Sequence, residues 1–220
     1  EEASWVIRKI ATAASQDARA FSNFAILYRT NAQSRAFEEE LLKYNIPYAV
    51  VGGVRFYDRA EVKDAMAYLR LLMNPQDDQA LLRIVNKPAR GIGKTTVDRV
   101  GVLAASRGTS LGEALAEFAR EATARTQGKI QAFLGLLDEL RSEMASRPLD
   151  QLIGKLLERS GYLEALAKEG TPEAEARRDN LLELMASARD FHTANEGALD
   201  EGRSELELFL DQVALISDLD

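Results

Sequence analysis

The sequence predicts a mainly α-helical protein with a short α/β segment at its N-terminal end. Apolar residues recur at helical spacing through most of residues 58–217, which is typical of helices packed around a core. Two short apolar runs, at 24–28 and 48–51, flank a single helical stretch and account for the α/β segment. The chain has 220 residues, of which 46% are hydrophobic and 29% charged, so it is long enough to bury a core without disulfides.

The N-terminal segment has the order helix, strand, helix, strand. Residues 1–20 have the spacing of an amphipathic helix, and Phe24–Tyr28 is the continuous apolar run expected of a strand buried on both faces. A helix carrying Phe37 and Leu41 follows, and Tyr48–Val51 is the second predicted strand. A strand–helix–strand unit predicts a short parallel strand pair. Because two strands do not form a stable sheet alone, either the remaining strands lie outside this chain or the sheet is a rudiment.

After Gly53 every predicted element is a helix. Capping-box sequences mark three helix starts, at Asp58, Ser110 and Ser204. The acidic stretch Glu196–Arg203 is predicted to be a mobile loop. The sequence has no repeat of fixed period, which argues against a solenoid. The predicted helical stretches, from their apolar residues and boundary residues, are 58–73, 77–86, a helix starting at about 94, 110–118, 130–144, 148–161, 171–191 and 204–213.

Composition excludes several classes of function. Without cysteine there is no disulfide, thiolate metal site or cysteine nucleophile. The single histidine, His192, rules out a multi-histidine metal site and is expected to be structural, near a helix end. No apolar run reaches the roughly 18 residues that a membrane span needs, and Glu1–Trp5 does not resemble a signal peptide. We therefore expect a soluble, cytoplasmic protein with no membrane partner.

The net charge of −7 belongs to one end of the chain. Residues 196–220 hold eight acids and one base, so this stretch alone carries −7 and residues 1–195 are neutral. Residues 84–107, in contrast, hold five bases and one acid, a local charge of +4. The basic stretch favours an anionic partner such as nucleic acid. The acidic end leaves an alternative open, a non-catalytic helical protein–protein adaptor that docks through it.

Residues 86–96 form the first candidate site. Gly93–Thr95 imitates the end of a nucleotide-binding P-loop, but the first glycine of that motif would be Pro88 and no strand precedes it. The pattern indicates instead a helix-hairpin-helix, in which Gly91 and Gly93 permit a tight turn and a close approach to a ligand, and Ile92 fills the gap between the helices. Amides at the start of the second helix then favour a phosphate. The alternative is a helix–turn–helix with a solvated basic rim.

Tyr28–Arg35, directly after the first predicted strand, is the second candidate site. Ligands bind at the carboxyl ends of parallel strands, where Arg29 and Arg35 offer positive charges for phosphates. Thr30 and Asn31 offer short hydrogen-bonding side chains at a helix start. On the residues alone the favoured alternative is that Thr30 or Asn31 simply caps the following helix.

Several segments, in this order and spacing, resemble the UvrD/PcrA/Rep family of superfamily-1 ATP-dependent DNA helicases. They are Leu27–Arg35, Pro47–Tyr48 with Val51–Asp64, and Pro88–Gly93, and the likeness continues to Asp211–Leu215. The resemblance covers essentially the whole chain. It implies a fragment of such a helicase: part of the second RecA-like lobe (2A, residues 1–55) and the helical subdomain inserted in it (2B, residues 56–220). The rest of the sheet would then come from sequence after residue 220.

The resemblance also implies functional residues. Arg29 and Asn31 match residues that contact the tracking single strand. The hairpin that grips duplex DNA ahead of the fork is matched by Arg90, Gly91, Ile92, Gly93, Lys94, Thr95 and Thr96.

The family's Walker A loop, Asp-Glu magnesium site, Gln-Asn-Tyr-Arg motif and arginine finger are absent from this sequence. The resemblance therefore implies no catalytic and no metal-binding residue here. ATP and Mg²⁺ would be held elsewhere in a 3′–5′ helicase, and this chain alone would be inactive. Its partners would be single-stranded DNA, a junction of single and double strand, and the remaining helicase lobes.

Overall fold

Helices form the regular structure of the computed structural model, which describes residues 2–195 and 202–217. Within these ranges no helix combines the length and hydropathy needed to cross a membrane. The loop predicted at Glu196–Arg203 lies outside the described residues, apart from Gly202 and Arg203. In the described part of the chain, single-turn 3-10 helices cover Phe21–Asn23, Asn31–Gln33 and Phe56–Asp58. The described α-helices are α1 (Glu2–Gln16), α2 (Ser34–Lys43), α3 (Ala60–Met73), α4 (Asp78–Ile84), α5 (Lys94–Arg107), α6 (Leu111–Glu121), α7 (Ala124–Glu143), α8 (Leu149–Arg159), α9 (Tyr162–Glu169), α10 (Pro172–Asn195) and α11 (Glu205–Ser217).

A large core is built from α3 to α11 with α3 at its centre. Tyr68, Leu69, Phe133 and Phe209 are among its fully buried side chains. Helix α3 packs against α4, α7, α8, α10 and α11. It is buried nearly all round from Val62 onward, as expected of a helix that other helices surround. The mainly α-helical prediction is confirmed, and α3 is the element from which side chains reach most of the fold.

A smaller core joins α1 to α2. Its buried members are Ile7, Leu41 and Ile46, and Ile26 and Tyr48 pack against them. Ile26 and Tyr48 come from the two segments that were predicted to be strands. The amphipathic N-terminal helix is therefore confirmed, and its apolar face is covered by α2 and these two extended segments.

The predicted parallel strand pair is not confirmed in the residues that the structure describes. Residues 24–28 and 46–50 run without helical structure, but neither forms a strand within the part of the chain that the structure describes. Leu27 is 95% exposed and Val51 is 93% exposed, so the segments are not buried on both faces. A strand needs a neighbouring backbone to exchange hydrogen bonds with, and no sheet partner lies beside them among the described residues.

Helix starts follow the capping predictions at two of three sites. Ser110 Oγ accepts the Glu113 amide (3.2 Å), and the Glu113 carboxylate accepts the Ser110 amide (3.1 Å). Ser204 Oγ likewise accepts the amide three residues further on (3.1 Å). The prediction at Asp58 is wrong, because Asp58 ends a 3-10 helix and Arg59 is the residue preceding α3. The extra turn shifts the start of α3 by one residue.

Helix α9 was not predicted from the sequence. It has eight residues and lies between Gly161 and Gly170, both in left-handed conformation with φ of +77° and +60°. Gly161 is the last residue of the predicted stretch 148–161, and no helix was expected between it and residue 171. Two turns of helix carry too few apolar residues to establish a periodicity, so the spacing of apolar residues does not reveal this helix.

A polar joint connects the N-terminal segment to the helical body, and Arg35 is its central residue. The side chain is buried between α2 and α10 and contacts Glu39 (2.9 Å), Glu183 (2.6 Å) and Asp190 (3.0 Å). Burial by itself would lower the pKa of Arg35, but the three carboxylates outweigh it and raise that pKa above its ordinary value. The expectation that Arg35 meets phosphates is therefore wrong, since its guanidinium is enclosed by carboxylates.

Arg59 extends the polar joint from its other side. Its Nη1 donates to Asn180 Oδ1 (2.8 Å), and its Nη2 donates to Ser34 Oγ (2.7 Å). The Asn180 amide nitrogen in turn donates to the buried Glu61 carboxylate (2.6 Å), and Ser34 Oγ donates to buried Glu38 (2.5 Å). Burial lowers the pKa of Arg59, partly offset by Glu38 and Glu61. The joint crosses the division at 55/56, which stays a prediction.

Candidate nucleic-acid interface

The hairpin, residues 85–93, joins α4 to α5 at the edge of the large core. Helix α4 packs mainly on α3, and α5 packs mainly on α6. In a helix-hairpin-helix the two helices pack on each other, so this part of the predicted fold is not confirmed and stays a prediction. What the structure does show is a helix, a tight turn through Gly91 and a second helix that begins at Lys94.

Asn86 closes the turn and Ile92 fastens it to the core. Asn86 Oδ1 accepts the amides of Arg90 (2.9 Å) and Ile92 (3.2 Å), which fixes the backbone between them. The Ile92 side chain is 1% exposed, in agreement with the expectation that it fills the space between helices. Neither the side chain nor the amide of Ile92 is therefore free to contact a ligand, and Ile92 holds the shape of the turn.

Arg90 lies inside the hairpin instead of on its outer surface. Its Nη1 donates to the Ile84 carbonyl (2.9 Å), while its Nη2 donates to the Tyr68 hydroxyl (2.5 Å) and the Lys87 carbonyl (3.1 Å). The guanidinium also lies 4.9 Å from the ring centre of Phe133. It thus caps the last carbonyls of α4, where a positive charge is favourable. The predicted contact of Arg90 with DNA stays a prediction, and most of its donors already bind the protein.

Gly91 brings a lysine from a distant helix to the hairpin. Its φ is +75°, a left-handed conformation, and a Cβ there would overlap Lys129 Nζ. Lys129 Nζ donates to the Gly91 carbonyl at 3.2 Å, although the two residues are 38 positions apart. Sequence reasoning missed Lys129. Its neighbour Ile130 marks the core face of α7, but periodicity does not say which loop lies beside the edge of that face.

The start of α5 is exposed and positively charged. Gly93 precedes the helix, and its carbonyl accepts the Thr96 amide (3.0 Å). The amides of Lys94 and Thr95 occupy the first two helical positions, where a helix supplies no acceptor of its own. The Lys94 side chain is 88% exposed, with Nζ 3.7 Å from the Asp98 carboxylate. Outward amides beside an exposed ammonium are the arrangement that binds a phosphate oxygen.

The hairpin does not fit the phosphates of ATP. It follows α4 instead of a buried strand, and Pro88 stands where the P-loop needs its first glycine. The likeness of Gly93–Thr95 to a nucleotide site is therefore superficial. The geometry supports contact with a phosphate at an open surface, not the enclosure of a triphosphate.

The second candidate site is exposed and its backbone is fixed by a cap. Gln33 Oε1 accepts the amides of Arg29 (2.9 Å) and Thr30 (3.1 Å) at the start of the 3-10 helix Asn31–Gln33. Thr30 thus occupies the N-cap position of this 3-10 helix, as the capping alternative expects. Arg29 and Asn31 are both exposed beside this cap. No described contact links them to the hairpin, so the structure shows two separate candidate surfaces.

Comparison with known proteins shows that the chain is similar to ATP-dependent DNA helicases. It is 36% identical over 222 residues to the ATP-dependent DNA helicase PcrA of Leuconostoc citreum, and 37% identical over 222 residues to PcrA of Staphylococcus aureus. It is 38% identical over 232 residues to the ATP-dependent DNA helicase UvrD1 of Mycobacterium tuberculosis. Each match covers 100% of this chain but only 30% of the relative. The similar proteins are therefore DNA helicases that are much longer than this chain.

The UvrD-like helicase C-terminal domain family matches residues 1–220, the whole of the chain. The chain belongs to this family. The family predicted from Leu27–Arg35 and the hairpin is thereby confirmed.

Proposed function

We propose that this chain is the DNA-holding part of an ATP-dependent DNA helicase. The relatives are ATP-dependent DNA helicases by name, and the chain matches 30% of their length. ATP and Mg²⁺ then belong to other parts of the parent protein, where ATP hydrolysis supplies the energy for movement. The chain itself contributes binding surfaces, would be inactive alone, and works on DNA in the cytoplasm.

The exposed start of α5 carries this proposal. There Lys94 is exposed beside the first amides of the helix, which have no acceptor within the helix, and Lys129 adds a second ammonium at Gly91. These groups bind phosphate oxygens of a duplex and do not read bases. Thr95 and Thr96 add hydroxyls beside them, whereas Arg90, Gly91, Ile92 and Gly93 act through the shape of the turn. Binding is therefore independent of sequence and sensitive to salt.

Arg29 and Asn31 provide the second contact, with the single strand that leaves the junction. Their backbone is fixed by Gln33, so the two exposed side chains start from a defined position. In this proposal residues 1–55 belong to the second RecA-like lobe and residues 56–220 to its inserted helical subdomain. Movement of the parent's lobes in the 3′–5′ direction then draws the single strand past a duplex that the hairpin holds.

The adaptor alternative is not favoured by the acidic end as far as it is described. Glu205 is hydrogen-bonded to His192 (2.8 Å), and Glu207 pairs with Arg203 (2.9 Å). Asp211 also contacts Arg203. These carboxylates of α11 already have partners within the chain. A protein that docked on them would have to break these contacts.

A tailed duplex of arbitrary sequence tests the proposal on the 220-residue chain. Fluorescence anisotropy across roughly 50–200 mM salt gives the affinity and its salt dependence, with a slope near −0.9 for each phosphate contact. Lys94→Glu should weaken binding at least tenfold and reduce the slope by about 1. Unchanged binding by this variant, or an affinity that does not depend on salt, would refute the assignment.

Lys168→Glu is a matched control for charge reversal. Lys168 is also an exposed lysine that pairs with a carboxylate four positions away, Glu164, but it lies on α9. Its reversal should leave duplex affinity within about twofold, since an exposed charge outside the contact is largely screened at these salt concentrations. An equal loss in both variants would show that only net charge matters and that the hairpin is not the contact.

A further inference from the structure

Asp64 is a buried carboxylate on α3 that faces the hairpin. It is 1% exposed, and its Oδ1 lies 2.7 Å from Arg83 Nε. Its Oδ2 accepts the Tyr162 hydroxyl (2.7 Å) and lies 3.4 Å from Lys87 Nζ. An ionised carboxylate is stable in a core only when such partners surround it. Asp64 therefore binds three parts of the chain together: the end of α4, the hairpin and the start of α9.

Tyr68 lies one helical turn after Asp64, on the same face of α3. Its ring is fully buried, and its hydroxyl donates to the Lys87 carbonyl (2.6 Å) while accepting from Arg90 (2.5 Å). Burial raises the pKa of Tyr68, although Arg90 opposes this, so the hydroxyl keeps its proton. Lys87 is thus held at both ends, its ammonium by Asp64 and its carbonyl by Tyr68.

We propose that Asp64, supported by Tyr68, is a positioning residue that sets the hairpin in its DNA-binding shape before DNA arrives. Neither residue touches DNA in this scheme. They act on the hairpin from the core side, through Lys87 and Arg90, while Asn86 closes the turn from within. The part of the inference that concerns affinity rests on the proposed function, whereas the part that concerns the hairpin's conformation does not.

A positioning residue and a contact residue differ in their salt dependence. If only a fraction of molecules has the competent hairpin, the apparent Kd is the intrinsic Kd divided by that fraction, at every salt concentration. Losing Asp64 should therefore weaken binding without changing the slope of affinity against salt. Losing Lys94 removes a phosphate contact and changes the slope.

The test uses Asp64→Asn in the 220-residue chain, with Glu61→Gln as the matched control. Glu61 is also a buried acid of α3, but it faces the polar joint and accepts from Asn180 (2.6 Å). Hydrogen exchange over residues 85–93 reports the hairpin directly, because the Arg90 and Ile92 amides are bonded to Asn86. Tailed-duplex affinity across salt is the second readout.

We expect Asp64→Asn to speed exchange in the hairpin by about tenfold or more, which corresponds to a more populated open state. Duplex binding should weaken roughly threefold to tenfold with an unchanged salt slope. Asp64→Glu, which keeps the charge, should recover part of both effects. Glu61→Gln should leave hairpin exchange and duplex affinity at the original values, even if it lowers the melting temperature.

Unchanged hairpin exchange in a folded Asp64→Asn variant would overturn the proposal, and so would an equal effect of Glu61→Gln. If Asp64→Asn does not fold, Tyr68→Phe keeps the buried ring, removes only the hydroxyl and is judged by the same two readouts. Failure of the original chain to bind any duplex would refute the proposed function instead. In that case faster hairpin exchange in Asp64→Asn would still establish the positioning role.

Discussion

Replacing Arg35 by alanine should destabilise the chain strongly, whereas the same replacement at Arg29 should leave its stability nearly unchanged. The two arginines are six positions apart in one segment of the sequence. Arg35 is 5% exposed among three carboxylates, while Arg29 is exposed. Arg29→Ala should instead weaken binding to single-stranded DNA, the role proposed for that side chain.

The size of the Arg35 effect follows from how exposed each partner is. The side chain of Glu39 is 14% exposed and that of Glu183 is 27% exposed, whereas that of Asp190 is 69% exposed. The pair with Asp190 therefore contributes little. Removing one member of a buried pair costs about 3–5 kcal/mol, and because neither remaining carboxylate is fully buried we expect about 3 kcal/mol. In a chain of this length that lowers the melting temperature by roughly 6–12 °C.

Thermal and urea unfolding followed by far-ultraviolet circular dichroism measure this difference. Buried pairs are screened less than surface pairs, so the loss should persist at moderate salt. The melting temperature of Arg35→Lys should lie between those of the original chain and Arg35→Ala. An ammonium keeps the positive charge but cannot contact all three carboxylates in the geometry of a guanidinium. A melting temperature of Arg35→Ala within about 2 °C of the original, or an equal loss in Arg29→Ala, would refute the reasoning.

Three further changes are expected to have separate effects. Gly91→Ala should lower the melting temperature and weaken duplex binding, because alanine is strained at φ of +75° and its Cβ would overlap Lys129. Ile92→Ala should cost about 2–5 kcal/mol in urea unfolding, since the side chain is 1% exposed in the core. Burial and Asp64 raise the pKa of Tyr162, so the folded state keeps a proton that the unfolded state releases above about pH 10. Stability should then fall as the pH rises above that value, more steeply than in Tyr162→Phe by up to about 1.4 kcal/mol per pH unit.

Each of these changes has a neighbour for comparison. Gly93→Ala should be mild, because Gly93 has a negative φ and open space around a Cβ position. Ile92→Val should cost only about 1 kcal/mol. Tyr44 is 43% exposed, so Tyr44→Phe is the control for replacing a tyrosine as such. Equal effects at Gly91 and Gly93 would contradict the role of the left-handed turn. Parallel pH curves for Tyr162→Phe and the original chain would contradict the raised pKa of Tyr162.

Most helices could be predicted because their determinants are local. The spacing of Val62 to Leu72, or the Ser110 capping box, specifies a helix without reference to the rest of the chain. Whether the apolar runs at 24–28 and 48–51 pair as strands could not be predicted in this way, because a strand depends on a neighbouring backbone that is often distant in sequence. Helix α9 is short enough that two left-handed glycines define it better than any apolar pattern.

The candidate site was also predicted only in part, because some of its features depend on local sequence and others on contacts with distant helices. Ile92 was correctly assigned to the interior, since an apolar residue between two glycines has few other roles in a tight turn. The roles of Arg90 and Lys129 depend on which helix lies beside the hairpin, and spacing along the sequence contains no such information. Arg29 and Arg35 are equivalent by residue type, and only the position of α10 makes one a surface charge and the other a buried ion pair.

The polar joint has a consequence for exchanging parts between related chains. Helix α10 has 24 residues, about 36 Å of helix, and one of its faces contributes Asn180, Glu183, Ser187 and Asp190 to contacts with residues 34–59. A hybrid that joins residues 1–55 of one relative to residues 56–220 of another would place foreign side chains against this face. It would retain a stable joint only if the acids of α10 and the arginine of α2 were transplanted as one set. The exchangeable unit is therefore set by this network of side chains, and a cut at residue 55 would divide it.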